Sequence, residues 1–284
     1  MEVSIDKICL IHTIQEKEHY NAILQFMHGF IKEYKGKGHY YWKTKYSTNI
    51  KVNLDKQCDM VIRAGITHSK LYAKFEFNAG KISAEGWEYL CCLFELIFDD
   101  GYKTAYENFR VDYLEIAADF KGIEFSQVNA IDNRVKEFSD LYKSVGSIYY
   151  GSKKSKRGFI IYDKAKQLKE VKGVHLDHPL LRVECRLRLP NTKLKDIGEI
   201  KNPFIPLRIF DVSKKHPLAT GLLWKKFKEL IQESGCDAQA AYLSLSPIER
   251  QAIDYRVFLC RSYWWDPIKV WEQANTKFTL LSPT

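Results

Sequence analysis

Between Arg110 and Arg188, charged side chains are threaded through three short, otherwise apolar stretches: RVDYLEIAADF, IYYGSKKSKRGFIIYDK and LRVECRL. A strand turns successive side chains to opposite faces, so such stretches bury one face only if their charges gather on the other. The region is therefore predicted to form a sheet with one polar face. Upstream, Val3, Ile5, Ile8 and Leu10 alternate as a strand, and Tyr20, Ile23, Leu24, Met27 and Ile31 recur at helical steps. Residues 40 to 77 read as several antiparallel strands ending in KLYAKFEFN, with breaks at Asn53-Leu54-Asp55 and Ala64-Gly65. Trp87, Leu90, Cys91, Phe94, Ile97 and Phe98 form a helical stripe closed by Asp99-Asp100-Gly101. A polar helical segment is expected near 130 to 143. Past Pro203 the period changes: Leu223, Phe227, Leu230 and Ile231 share a helix face, and 237 to 260 and 264 to 274 also read as helical. The expected fold is α+β, antiparallel sheets with packed helices in two similar halves, with a domain at 1–202 and a mainly helical region at 203–284.

With 45% hydrophobic and 14% aromatic residues, the 284-residue chain can bury a substantial core, which excludes global disorder. No apolar run approaches the roughly 20 residues of a membrane span. The net charge of +9 favours polyanionic partners. Seven cysteines without a C-x-x-C pair argue against a zinc cluster or disulfide framework, and the vicinal Cys91-Cys92 reads as core thiols. The opening MEVSIDKICLIHTI has no signal-peptide pattern, so the cytoplasm is the expected compartment.

Glu115 and Asp119 are four apart on a strand and so share a face, with Ala117 between them. They sit roughly 13 Å apart along it, too far to hold one cation together. Paired against LRVECRL, either could face Glu184 and bind a hard divalent cation through oxygen, Mg²⁺ or Mn²⁺ rather than zinc. The same carboxylates could instead pair with Arg182, Arg186 and nearby lysines as a solvated sheet face. The middle stretch reads as a hairpin, with Lys153, Lys154, Lys156 and Arg157 in a basic turn suited to a phosphate backbone or to plain solvent. On its return strand Ile160, Tyr162 and Lys164 share a face. A phenol beside an ammonium and a polarised phosphate is competent to attack phosphorus, although Tyr/Lys pairs are also common on strand surfaces. The eight histidines are scattered without a His-x-His, and His68, His175 and His178 read as structural or surface residues.

GSIYYGSKKSKRGFIIYDK followed by LLRVECRLR, with RVDYLEIAADF upstream, resembles the Rep-trans group of rolling-circle replication initiators of bacterial plasmids, some filamentous phages and integrative elements. The resemblance covers about residues 108 to 190 and keeps the family's motif order. It implies nicking of one origin strand through a 5′-phosphotyrosine, with Tyr162 as nucleophile, Lys164 as its cationic neighbour, and Glu115, Asp119 and Glu184 holding Mg²⁺ or Mn²⁺. Glu115 stands where the family usually has aspartate. Tyr149 and Tyr150, on the partner strand, are competing nucleophiles. Arg182 and Arg186 join the basic turn as expected DNA contacts. Expected partners are double- and single-stranded origin DNA, a host helicase, since no G-x-x-x-x-G-K-[ST] loop is present, and a second copy of the chain offering its own tyrosine. The alternatives are a conjugative relaxase and a non-enzymatic DNA-binding regulator. Trp264 and Trp265 read as core, with DNA or partner contact as the alternative.

Overall fold

The N-terminal alternation forms one long strand, β1 (Glu2–Ile14), in which Ile8, Leu10 and Ile14 are buried. The stripe that follows becomes α1 (Lys17–Tyr34), buried along Ile23, Met27 and Phe30. The computed structural model describes residues 1–34, 39–45, 47–144, 146–152, 155–235 and 237–283. The chain divides into two units interleaved in sequence. The first comprises Ser4–Ile116, Arg186–Ile200 and Ala274–Thr284, and the second Met1–Val3, Ala117–Cys185 and Lys201–Gln273.

In the first unit, β2 (Tyr40–Lys43), β3 (Ser47–Asn53), β4 (Asp59–Thr67) and β5 (Lys70–Phe77) pair antiparallel, and β5 pairs antiparallel with β1. Register aligns Ile50, Ile62, Phe75 and Leu10 across four strands, and all are fully buried. Two helices follow, α2 (Ala84–Glu95) and α3 (Gly101–Asn108). Phe94 of α2 packs 4.7 Å from Phe75, which marks that sheet face as the core side. The opposite row, Asn49, Arg63 and Lys74, is polar. The expected break at Ala64-Gly65 does not occur: Gly65 stays in β4, paired with Ser47 and Tyr72. The chain reverses instead at His68 and Ser69, whose φ of 45° and 61° are left-handed. Cys92 is exposed and Cys91 half-buried, so this pair does not belong to the core; α2 turns Leu90, Leu93 and Phe94 inward instead.

The long strand β6 (Arg110–Lys121) gives its residues through Ile116 to the first unit, beside β1, and the rest to the second. The second unit adds β7 (Asn129–Asp132), β8 (Leu141–Ser144), β9 (Ser147–Tyr150), β10 (Arg157–Asp163), α4 (Lys164–Lys172), β11 (Leu180–Arg188, through Cys185) and β12 (Leu207–Phe210). Its strand order is β6-β11-β10-β9-β8, with β12 and β7 as a separate antiparallel pair. The helix expected near 130 to 143 is absent, and β7, a 3-10 turn at Phe138–Asp140 and β8 occupy the segment. Long-range pairing wins over local pattern here, because Asn129–Asp132 lies fully buried against Leu207–Phe210.

The C-terminal helices are α5 (Leu222–Glu233), α6 (Ala238–Leu243), α7 (Pro247–Leu259) and α8 (Pro267–Phe278). Trp224, Phe227 and Ile231 of α5 join Ile253 and Val257 of α7 in one buried cluster that includes Phe210 and Ile131. Residues 203–273 thus share a unit with β9, β10 and β11 through Cys185. Trp265 is buried, and its indole N–H donates to the Leu207 carbonyl at 3.1 Å. Among the described residues no helix is long and apolar enough to cross a membrane.

Candidate nicking site

Alternation sorts β11 into two faces. Leu181, Val183 and Cys185 are fully buried on one, with Arg182 and Glu184 on the other. The apolar face continues through Phe159 and Ile161 of β10 and Ile148 and Tyr150 of β9. The polar face carries Asp119, Arg182, Glu184 and Tyr162. Arg182 and Glu184 are only 8% and 5% exposed, a costly placement for charge unless each is partnered. Arg182 grips Asp119 through two parallel bonds of 2.6 Å, a bidentate ion pair. The Tyr162 hydroxyl donates to Glu184 Oε2 at 3.5 Å, with the ring 8% exposed.

Lys164 lies elsewhere than the alternation expected. The strand ends at Asp163, whose carboxylate accepts from the Lys166 N–H at 2.9 Å and caps α4, so Lys164 opens a helix. Its ammonium still lies 5.7 Å from the Tyr162 ring centroid, held by Gln167 Oε1 at 2.7 Å. Asp163 and Gln167 were not singled out from the sequence. The signal was available in an Asp cap before AKQLKEVK and a Gly173 just past it, which adopts φ 67°.

The competing tyrosines separate by face. Register sets Tyr150 opposite Phe159 and Tyr149 opposite Ile160, so Tyr149 shares the face of Tyr162 and Tyr150 points into the core. The Tyr150 hydroxyl donates to the Ala130 carbonyl at 3.1 Å, and burial pushes its phenol well above the ordinary value.

Glu115 belongs to the first unit, where Tyr113 donates a short hydrogen bond to it and Arg186 approaches at 3.2 Å. Tyr113 also escaped the sequence reading, although its i, i+2 spacing from Glu115 places both on one strand face. Arg186 keeps 43% of its side chain exposed. In the basic turn, Lys153 and Lys154 lie outside the described residues, and Lys156 is exposed. Arg157 is half-buried, donates to the Pro203 carbonyl at 3.1 Å, and is held below its usual pKa first by burial. It is an anchor of the turn more than a surface charge. Gly151 permits the turn: its φ is 88°, and a Cβ there would meet the Arg157 carbonyl at 3.0 Å.

Two of the three carboxylates that the resemblance assigns to a divalent cation are already engaged by the chain's own side chains. Both carboxylate oxygens of Asp119 are bound by Arg182, and Glu115 is held by Tyr113 and Arg186. Among the described residues no group of three or more His, Cys, Asp or Glu side chains gathers as a metal site.

No protein-family model matches the chain, and no curated protein matches it. Among solved structures, this chain is similar to one described as the rolling circle replication initiator protein from Geobacillus stearothermophilus. The TM-score is 0.42 at 13% identity, over 84% of this chain and 99% of that one.

Proposed function

We propose that the chain initiates rolling-circle replication by nicking one strand at an origin, with Tyr162 as the nucleophile. The observation that carries this reading is a buried phenol hydrogen-bonded to a buried carboxylate, Tyr162 to Glu184, with the Lys164 ammonium beside the ring. The motif order that resembles the Rep-trans initiators supports it. In the proposed step Tyr162 Oη attacks the scissile phosphorus and its proton passes to Glu184. The bond from phosphorus to the 3′ oxygen breaks, and that oxygen leaves as a hydroxyl after taking a proton from solvent. The 5′ phosphate stays on the tyrosine, so bond energy is conserved for rejoining without ATP. Lys164 steadies negative charge on the phenolate and phosphate. Asp119 acts on the DNA only through Arg182, which it orients.

The test is incubation with supercoiled DNA carrying the cognate origin, scored for open circles and a covalent adduct. Peptide mapping of the adduct should find nucleotide mass on Tyr162; finding it on Tyr149 reassigns the nucleophile. Parallel reactions with a chelator and with added Mg²⁺ or Mn²⁺ test the cation on its own. A gel shift without a nick replaces the enzyme by a DNA-binding regulator.

A further inference from the structure

The sheet of the first unit has a face that the aromatic core around Phe75 does not occupy, and its outer strand carries rings on that face. Register sets Tyr40 opposite Lys51 and Trp42 opposite Asn49, and Asn49 opposite Arg63. Tyr40 and Trp42 therefore lie on the side of the polar row, 61% and 39% exposed. Polar contacts fix this edge. The Lys51 ammonium sits 5.8 Å from the Tyr40 ring centroid, Asn49 Nδ2 donates to the Trp42 carbonyl at 3.2 Å, and Arg63 Nε donates to Asn49 Oδ1 at 2.7 Å. Further along the same face is a cavity of about 290 Å³. Four cations line it, Lys7, Arg63, Lys74 and Arg188, against three carboxylates. Lys7 pairs with Glu76 at 2.7 Å and Lys74 with Asp112 at 2.6 Å, whereas Arg63 is turned onto an amide.

Exposed ring faces beside a surplus of cations match a polyanion whose units also carry flat apolar surfaces. In a duplex the base faces are stacked on one another and hidden; in a single strand they are open. We propose that this face binds single-stranded DNA, Tyr40 and Trp42 stacking on unpaired bases while Arg63 and the neighbouring lysines meet the backbone. Single-stranded DNA as the occupant rests on the nicking reading, because a nicked origin releases such a strand. The surface itself lies within the first unit and needs neither Tyr162 nor Glu184.

The test uses the full chain and a fluorescein-labelled oligothymidylate, read by anisotropy, with a duplex of equal length as competitor. Replacing both rings, Tyr40→Ala with Trp42→Ala, should weaken oligothymidylate binding about tenfold or more, and Tyr40→Phe with Trp42→Phe should restore most of it. Arg63→Ala should flatten the salt dependence. Circular dichroism must show each variant folded; if the alanine pair unfolds, quenching of tryptophan fluorescence that is lost in the Trp42→Phe protein serves in its place. A folded double variant binding within about twofold of the parent overturns the proposal, as does a duplex that competes as well as the single strand. The two readings fail separately. A protein that forms no adduct yet loses oligothymidylate binding on ring removal sinks the nicking assignment and leaves this surface standing.

Discussion

At the scale of single residues, the hydroxyls of three tyrosines are sorted by what surrounds them. Tyr162→Phe should abolish the adduct while costing less than about 1 kcal/mol of stability, because the ring's packing is kept and the bond lost to Glu184 is a long one, 3.5 Å. Tyr150→Phe should do the reverse, nicking normally but losing about 1 kcal/mol of stability as the Ala130 carbonyl loses its donor. Chemical denaturation alongside the nicking assay reads both. Glu184→Gln keeps shape and removes the proton acceptor, so cleavage should fall by about 10²- to 10⁴-fold with DNA binding retained. A variant that nicks at the parent rate removes Glu184 from the mechanism. His12 offers a pH test of the first unit. It stacks 4.7 Å from Phe109, and burial first, then neighbouring His19, lowers its pKa to about 4 from an ordinary 6.5. Because the folded pKa is the lower one, the unfolded chain binds the extra proton first. Stability is therefore complete above about pH 6.5 and is drained as pH falls toward 4. A His12→Phe protein should show a shallower loss across that window in urea titrations.

At the scale of elements, α4 is the piece whose position matters most and which alternation concealed. Its strand-like approach, FIIYD, predicted that Lys164 would stay on the strand, yet one carboxylate on the Lys166 amide turns the chain into a helix. Asp163→Ala should cost about 1 kcal/mol through the lost cap. It should also slow nicking, since Lys164 would lose its fixed place beside Tyr162. Gly173→Ala, at the other end, should cost about as much by straining a left-handed residue, with nicking less affected. Similar stability losses with unequal activity losses would separate the two ends; equal activity losses would deny α4 a positioning role. The strands of residues 40 to 77 and the amphipathic stripes of α1, α2 and α5 were legible because each repeats an apolar period. The strand at 129–132 was not, because its partner strand lies some eighty residues away at Leu207–Phe210 and leaves no local trace. The site was legible as residue types on one face. The pairing of Asp119 with Arg182 and of Glu115 with Arg186 was legible too, as the alternative reading of these carboxylates; periodicity alone carries no information on which of the two readings holds.

For the whole molecule, with a net charge of +9, the proposed DNA binding should weaken as salt rises. Replacing Lys153, Lys154 and Lys156 by alanine, while sparing the Arg157 anchor, should reduce the slope of log affinity against log salt by about 0.9 for each duplex phosphate that is no longer neutralised. An unchanged slope assigns the phosphate-binding cations elsewhere. The interleaved units also bear on how the polypeptide is made. The Tyr102 hydroxyl donates to the Leu281 carbonyl at 2.9 Å, a hydrogen bond spanning 179 residues, and Leu281 is itself buried. A nascent chain emerging from the ribosome thus presents the strands of the first unit long before the segment that finishes it has been translated. Their apolar surfaces stay incompletely covered, open to self-association, until residues 274–284 have been made. Truncation before Ala274 should therefore lower the yield of folded protein, read as the soluble fraction after expression.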